Sequence, residues 1–121
     1  MPQDFSRQNV SWIISGTQFD PGALFVGANL IQNDLQDCSF PEADFTGVKS
    51  IGNVGIPRLL PEDWLLVSGI LMGPTADLSD KFLISIDLTD VDLSAANLEN
   101  LRSRDITGCP KALPMGYKLA G

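Results

Sequence analysis

The carboxylates are the side chains whose type and spacing could support catalysis or metal binding in this sequence. It contains 15 Asp and Glu residues and no His, with Asp90 two positions before Asp92 and Asp77 three before Asp80. Paired carboxylates act in glycosidases when a cleft holds them across a substrate, and Asp-x-Asp-x-Asp-Gly loops bind calcium. The sequence has no such loop, no histidine base and no glycine-rich phosphate loop. We therefore predict no enzyme, no catalytic residue, no cofactor and no metal site.

The acidic residues cluster along the chain, and the formal net charge is -7. Residues 8–48 contain five acids and no Lys or Arg, whereas residues 102–121 are basic. Either these acids solvate an outward face, or they form an acidic face that meets a basic partner. The net charge argues against direct nucleic-acid binding. The candidate acidic face consists of Asp34, Asp44, Asp77, Asp87 and Asp92.

The sequence repeats every 53 residues without a gap. Residues 64–69 (Trp-Leu-Leu-Val-Ser-Gly) align with residues 11–16 (Ser-Trp-Ile-Ile-Ser-Gly), and the same shift carries Phe45 onto Leu98. A period of this length is typical of stacked, solenoid-like chains. Such folds supply a rigid surface far more often than a catalytic pocket.

Within each unit, large apolar residues recur every five positions. This period matches neither the helix nor the strand, and it fits a chain that turns a corner every five residues. An Asp or Asn often precedes the large residue, which suits tight turns. The predicted core residues are Phe25, Leu30, Leu35, Phe40, Phe45, Leu78, Leu83, Leu88, Leu93 and Leu98.

Segments such as Ala28-Asn29-Leu30 and Val91-Asp92-Leu93 resemble the pentapeptide-repeat family. Its motif is a small residue, Asp or Asn, Leu or Phe, and two variable residues. The resemblance implies an all-β fold, a right-handed quadrilateral β-helix in which four fives make one coil. The fives cover residues 23–48 and 76–103. Asn33 departs from the motif, because it is polar where a small apolar residue is usual.

The segment between the two sets of fives predicts a β-hairpin at 64–73. Two apolar runs, Trp64–Val67 and Ile70–Met72, flank a Ser-Gly turn. By the internal repeat, a hairpin is also expected near 11–20 and a half-hairpin at 115–121. We predict a single domain, 1–121, whose β-helix is interrupted by hairpin insertions. The Leu-Pro-x-x-Trp spacing resembles longer pentapeptide-repeat proteins of cyanobacteria and their phages.

Aromatic residues recur once per unit, at Trp12, Trp64 and Tyr117. They either pack the hairpins against the coils or serve as exposed anchors for a partner. With Lys118 and Leu119 they make up the candidate partner-binding residues, and the strand 117–119 is suited to join a neighbouring sheet.

The open ends of a solenoid favour assembly, because they present unpaired backbone groups. We predict a structural, protein-binding component of a larger assembly, by resemblance a phage virion, that contacts protein partners or copies of itself through its ends. The alternative implied by the resemblance is an acidic DNA mimic that binds a type II topoisomerase. We expect no membrane association and a cytoplasmic or virion location, because no signal-peptide or membrane-spanning pattern appears. Cys38 and Cys109 align with apolar positions, so both are expected to be buried and unpaired.

Overall fold

The computed structural model describes residues 3–114 and shows seven short β-strands in that range. No helix long and apolar enough to cross a bilayer occurs among these residues. β1, β2 and β3 form a parallel sheet, β4 and β5 pair antiparallel, and β6 and β7 pair in parallel. The strands are β1 (Asn9–Val10), β2 (Asn29–Ile31), β3 (Lys49–Ile51), β4 (Leu65–Val67), β5 (Ile70–Met72), β6 (Phe82–Ile84) and β7 (Arg102–Arg104).

The strand register shows that one coil takes 20 residues. Asn9 pairs with Asn29, and Asn29 pairs with Lys49. On another wall, Asp34 bridges Val54 over the same spacing. Twenty residues are four fives, so each coil has four walls joined by corners. The described residues thus form the all-β, coil-stacked architecture that the fives predicted.

The central residues of the fives fill the interior. Those of the first set are at most 1% exposed and those of the second set at most 7%. Burial of one large apolar side chain stabilises a fold by about 1.5–3 kcal/mol, so this column is the main source of stability. The ten predicted core residues, Phe25, Leu30, Leu35, Phe40, Phe45, Leu78, Leu83, Leu88, Leu93 and Leu98, are all buried.

A hairpin separates the two stacks of coils. β4 and β5 pair around Ser68 and Gly69, which have φ values of 49° and 82°. This left-handed turn conformation matches the twist of paired strands. β5 packs against β3, where the Ser50 hydroxyl oxygen accepts a hydrogen bond from the Leu71 N–H at 2.6 Å.

Below the hairpin, the coils resume against the first stack. The Asp77 N–H donates to the Val48 carbonyl at 2.9 Å, and the Gly47 N–H donates to the Thr75 carbonyl at 2.7 Å. Two fused stacks of coils, rather than two independent units, therefore surround the hairpin.

The hairpin predicted near 11–20 is wrong. The Gly16 N–H donates to the Gln36 carbonyl at 2.8 Å, and Gln18 bridges Ser39 in parallel. The segment therefore belongs to the walls of the first coil. The physical reason is the sequence after the turn: three apolar residues follow Gly69, whereas Phe19 is the one apolar residue at 17–20, and it enters the core.

Candidate protein-binding surfaces

Five aromatic rings form a column through the first stack, with a tryptophan at each end. The ring centroids of Trp12 and Phe5 lie 5.3 Å apart, those of Phe5 and Phe25 5.1 Å, those of Phe25 and Phe45 5.5 Å, and those of Phe45 and Trp64 5.3 Å. Aromatic pairs at such distances contribute about 0.5–1.5 kcal/mol beyond the area they bury. The column ties the first stack to the segment that precedes the hairpin.

The two tryptophans differ in exposure. Trp64 is 7% exposed and Trp12 is 50% exposed. The prediction of Trp64 as an exposed partner anchor is therefore wrong, because its indole fills the interior above Phe45. Gly73 makes this possible, since a Cβ at that position would overlap the Trp64 ring. Trp12 stays a candidate anchor at the N-terminal end of the column.

The candidate residues Tyr117, Lys118 and Leu119 lie outside the described residues, as does the predicted half-hairpin at 115–121. β7 lies in the last described coil, and its three residues are all exposed.

The aspartates of the candidate acidic face act first as turn formers. The Asp44 carboxylate accepts hydrogen bonds from the Thr46 N–H at 3.0 Å and from the Thr46 hydroxyl at 2.6 Å. Asp87 accepts the same pair of bonds from Thr89. Such side-chain turns hold the chain at its corners. The same arrangement recurs for Asp34 with Gln36, Asp77 with Ser79 and Asp92 with Ser94 through their backbone N–H groups.

The turn bonds change the acidity of two of these groups. The pKa of Asp87 is lowered by the Thr89 hydroxyl and N–H. Burial of Asp77 favours its neutral form, but the bonds from Ser79 and the ammonium groups nearby outweigh it and lower its pKa. One of those ammonium groups, that of Lys49, lies 3.7 Å from the Asp77 carboxylate.

The coils do not stack the five aspartates into one stripe. Asp44 lies beside Leu24 of the preceding coil, and Asp34 lies beside Val54 of the following coil. Asp87 and Asp92 bridge Thr107 and Ala112. The fifth, Asp77, bridges Asn97, so each of the five has an uncharged residue as its wall neighbour in these pairs. The acidic residues are therefore distributed over different walls.

Exposed aliphatic side chains form a surface that the sequence analysis missed. Ile31 and Ile51 lie directly opposite each other on the outer face of β2 and β3, at 37% and 53% exposure. Val54 and Ile56 follow around the corner and are also exposed. The alternation of outward residues along β3 was the available sequence signal, because Ile51 follows the inward Ser50.

The cysteines lie in different environments. Cys38 is buried, and desolvation raises the pKa of its thiol. Cys109 is exposed, so the expectation of a second buried cysteine is wrong. Both thiols are free. Cys109 lies in the last described coil, where no further layer within residues 3–114 covers it.

No three His, Cys, Asp or Glu side chains converge as metal ligands anywhere in residues 3–114. Within residues 3–114 the walls, corners and exposed apolar residues form outward-facing surfaces. What these surfaces can do chemically is present hydrogen-bonding edges and side chains to another molecule.

Comparison with protein families identifies the repeat. A family model described as "Pentapeptide repeats (8 copies)" matches residues 22–49. No curated protein and no solved structure matches the chain. The match falls on the fives that form the first stack, so residues 22–49 are identified as pentapeptide repeats. Members of this family are generally structural or protein-binding solenoids and generally lack enzymatic activity.

Proposed function

We propose that this chain is a non-enzymatic structural solenoid that binds proteins as a component of a larger assembly, such as a phage virion. Its location would be the virion or the cytoplasm. Contacts would form through the ends of the solenoid, with partner proteins or with further copies. The observation that supports this proposal is the one-sided pairing of β7.

Residues 53 positions apart show what an additional layer would cover. Ser50 in β3 is 2% exposed and hydrogen-bonded to the hairpin, whereas its equivalent Ser103 in β7 is exposed. Asn53 is buried, whereas its equivalent Ile106 is half-buried. The last described coil thus places equivalent residues at these positions but leaves them more exposed to solvent, because no further layer within residues 3–114 packs against them.

The backbone of β7 is likewise uncovered on one side. Arg102 donates its N–H to the Lys81 carbonyl at 2.9 Å, and Arg104 accepts from the Ser85 N–H at 2.9 Å. Because successive residues of a strand point their backbone groups to opposite sides, the groups of Ser103 face away from β6. Within residues 3–114 no strand pairs with that edge. Unpaired edges of this kind are templates for another chain.

The test is the mass of the full chain in solution, measured by light scattering on a sizing column. We expect an oligomer larger than the 13.0 kDa chain. Ser103→Pro removes the outward N–H, and Ser103→Lys adds a charge at the same edge, so both should shift the mass towards the monomer. Ser94→Lys, on an exposed position of the preceding coil, is the control. A wild-type monomer, or an oligomer that survives both Ser103 variants with unchanged melting temperature, would contradict the end contact.

The second candidate is the acidic DNA mimic. The outward carboxylates of Asp44 and Asp87 each use one oxygen in a turn, and the net charge of -7 favours a basic partner. The distribution of aspartates over several walls favours it less than a continuous stripe would. Inhibition of DNA supercoiling by gyrase at micromolar protein, weakened by Asp44→Asn with Asp87→Asn, would support the mimic over the assembly role.

A further inference from the structure

A groove opens on the wall of the third coil, beside the place where the chain leaves the first stack. Its volume is about 830 Å³. Residues 41–46 form one side, and residues 59–62 with Trp64 form the other. Thr75 also lines the groove. The groove therefore lies where the next regular coil would have placed a strand.

The preceding coil shows how such a strand pairs. Phe25 donates its N–H to the Asp44 carbonyl at 2.9 Å, and the Ala23 carbonyl accepts from the Asp44 N–H at 2.9 Å. One residue of the lower coil thus satisfies both groups of the upper coil. The equivalent groups one coil further along are the N–H of Phe45 and the carbonyl of Ala43.

Those two groups have no hydrogen-bond partner within residues 3–114. Phe45 is 1% exposed and Ala43 is 8% exposed, so their backbone is poorly placed for hydration by bulk water. An unpaired buried amide or carbonyl costs about 1–3 kcal/mol, so pairing of these groups would be favourable.

Within residues 3–114 no segment supplies the missing strand, because Trp64, which follows Asp44 by one coil, bonds within its own turn instead. The Trp64 N–H donates to the Pro61 carbonyl at 3.1 Å, within its own turn. Its indole covers the Phe45 ring in the interior, with centroids 5.3 Å apart. The apolar column is completed while the backbone edge beside it is left open.

The charged residues that line the groove all carry negative charge, and a nearby ammonium group, that of Lys111, is paired with Asp63 at 3.1 Å. Glu42 and Glu62 are exposed and Asp44 is half-buried, and all three line the groove. No Lys or Arg is among the lining residues. A ligand that enters this groove therefore meets carboxylates at its rim and lies beside the largely buried Trp64 and the open backbone edge.

We propose that this groove binds an extended, basic peptide segment of a partner protein by strand addition. One residue of the segment donates its N–H to the Ala43 carbonyl and accepts from the Phe45 N–H, as Asp44 does towards Ala23 and Phe25. Lysine or arginine side chains on either side of it face Glu42 and Glu62. Main-chain bonds give the affinity and the carboxylates select a basic sequence. The inference rests on the proposed protein-binding function and names the chemistry of the partner.

The test uses a synthetic peptide, acetyl-Lys-Val-Lys-Val-Lys-amide, titrated into the full chain. The chain has two tryptophans, so the Trp12→Phe variant leaves Trp64, which lines the groove, as the fluorescent reporter. Two further peptides serve as comparisons. One has the same sequence with every backbone nitrogen methylated, which keeps the charge and removes the N–H donors. The other replaces each lysine by glutamate.

We expect saturable binding of the lysine peptide, at least tenfold weaker binding of the methylated peptide and none of the glutamate peptide. Glu42→Gln with Glu62→Gln should weaken binding at least fivefold, whereas Glu99→Gln, an exposed acid outside the groove, should change it less than twofold. Equal binding of the methylated peptide would overturn strand addition, and an absence of saturable binding would overturn the site. Either result leaves the end contact at Ser103 standing, because light scattering tests that contact separately.

Discussion

The side-chain oxygen of Asn53 accepts two hydrogen bonds from Asn33, one from its backbone N–H at 3.0 Å and one from its amide nitrogen at 3.1 Å. The Asn33 oxygen in turn accepts from the Ile13 N–H at 3.0 Å, and the Asn53 amide donates to the Leu30 carbonyl at 3.0 Å. Both asparagines are buried, at 1% and 4% exposure. Stacked on one wall, they join three successive coils through fully paired polar groups, which low local polarity strengthens.

Removal of this ladder should destabilise the fold. Asn53→Ala leaves the Asn33 backbone N–H without its acceptor and the Asn33 amide with the Val10 carbonyl alone. We expect a loss of about 2–4 kcal/mol in the free energy of unfolding. Urea denaturation followed by circular dichroism measures it. Asn29→Ala is the matched control, because Asn29 bonds to Asn9 on the outer face and should cost about 0.5–1 kcal/mol. Equal costs for the two variants would contradict a role for the buried ladder.

The two tryptophans should differ in their contribution to stability. Trp64→Ala opens a cavity between Phe45 and the hairpin, and the expected loss is about 3–5 kcal/mol. Trp12→Ala removes a half-exposed ring and should cost about 1 kcal/mol. Urea denaturation of both variants checks the difference. A larger loss for Trp12→Ala would contradict this, because it would mean that the N-terminal end contributes more to stability than the junction with the hairpin.

Gly73 should tolerate a methyl group poorly. Its Cβ would overlap the Trp64 ring, so Gly73→Ala should destabilise by about 1–3 kcal/mol through overpacking. In Gly16→Ala the new Cβ meets nothing within 4 Å and the cost is the strain of φ 77° alone, about 1 kcal/mol. The smaller ring of Trp64→Phe should relieve Gly73→Ala, so thermal denaturation of the double variant should show less loss than the two single variants added together. Strict additivity would show that the ring contact is not the cause.

Stability should fall with acid partly through Asp77. The ordinary pKa of this group is 3.8 and the folded protein lowers it. The unfolded chain therefore takes up the proton first as pH falls. The contribution of Asp77 is complete above the ordinary value and is lost as pH drops through the lowered folded pKa.

Asp77→Asn should therefore make the loss of stability below about pH 4 shallower than in the wild-type protein. Ser79→Ala, which removes the 2.5 Å hydroxyl bond, should act in the same direction. Urea denaturation between pH 7 and pH 2 measures both slopes. Parallel curves for all three proteins would assign the acid sensitivity to other carboxylates.

The core and the corners could be predicted from local sequence. Phe25, Phe40 and Leu88 are buried because a chain that turns every five residues points one residue in five inward. Asp44 and Asp87 could be placed outside, but their shared role as turn formers depends on the Thr that follows two positions later, which supplies a second hydrogen bond. The asparagine ladder could not be predicted, because Asn33 departs from the motif when one five is considered alone.

What the sequence by itself determined is the period of five, the inward and outward residues and the hairpin at β4 and β5, because these depend on side-chain type and spacing along the chain. Only the tertiary structure decided which secondary structure the positions related by the 53-residue repeat adopt. Ser11–Gly16 and Trp64–Gly69 align, yet the first lies in a coil wall and the second enters a hairpin. The difference arises because a parallel partner 20 residues away pairs the first segment, whereas apolar residues after the second turn favour local pairing. The buried Trp64, the open edge of Phe45 and the exposed Cys109 follow from the same cause, since each depends on which layer lies next to it.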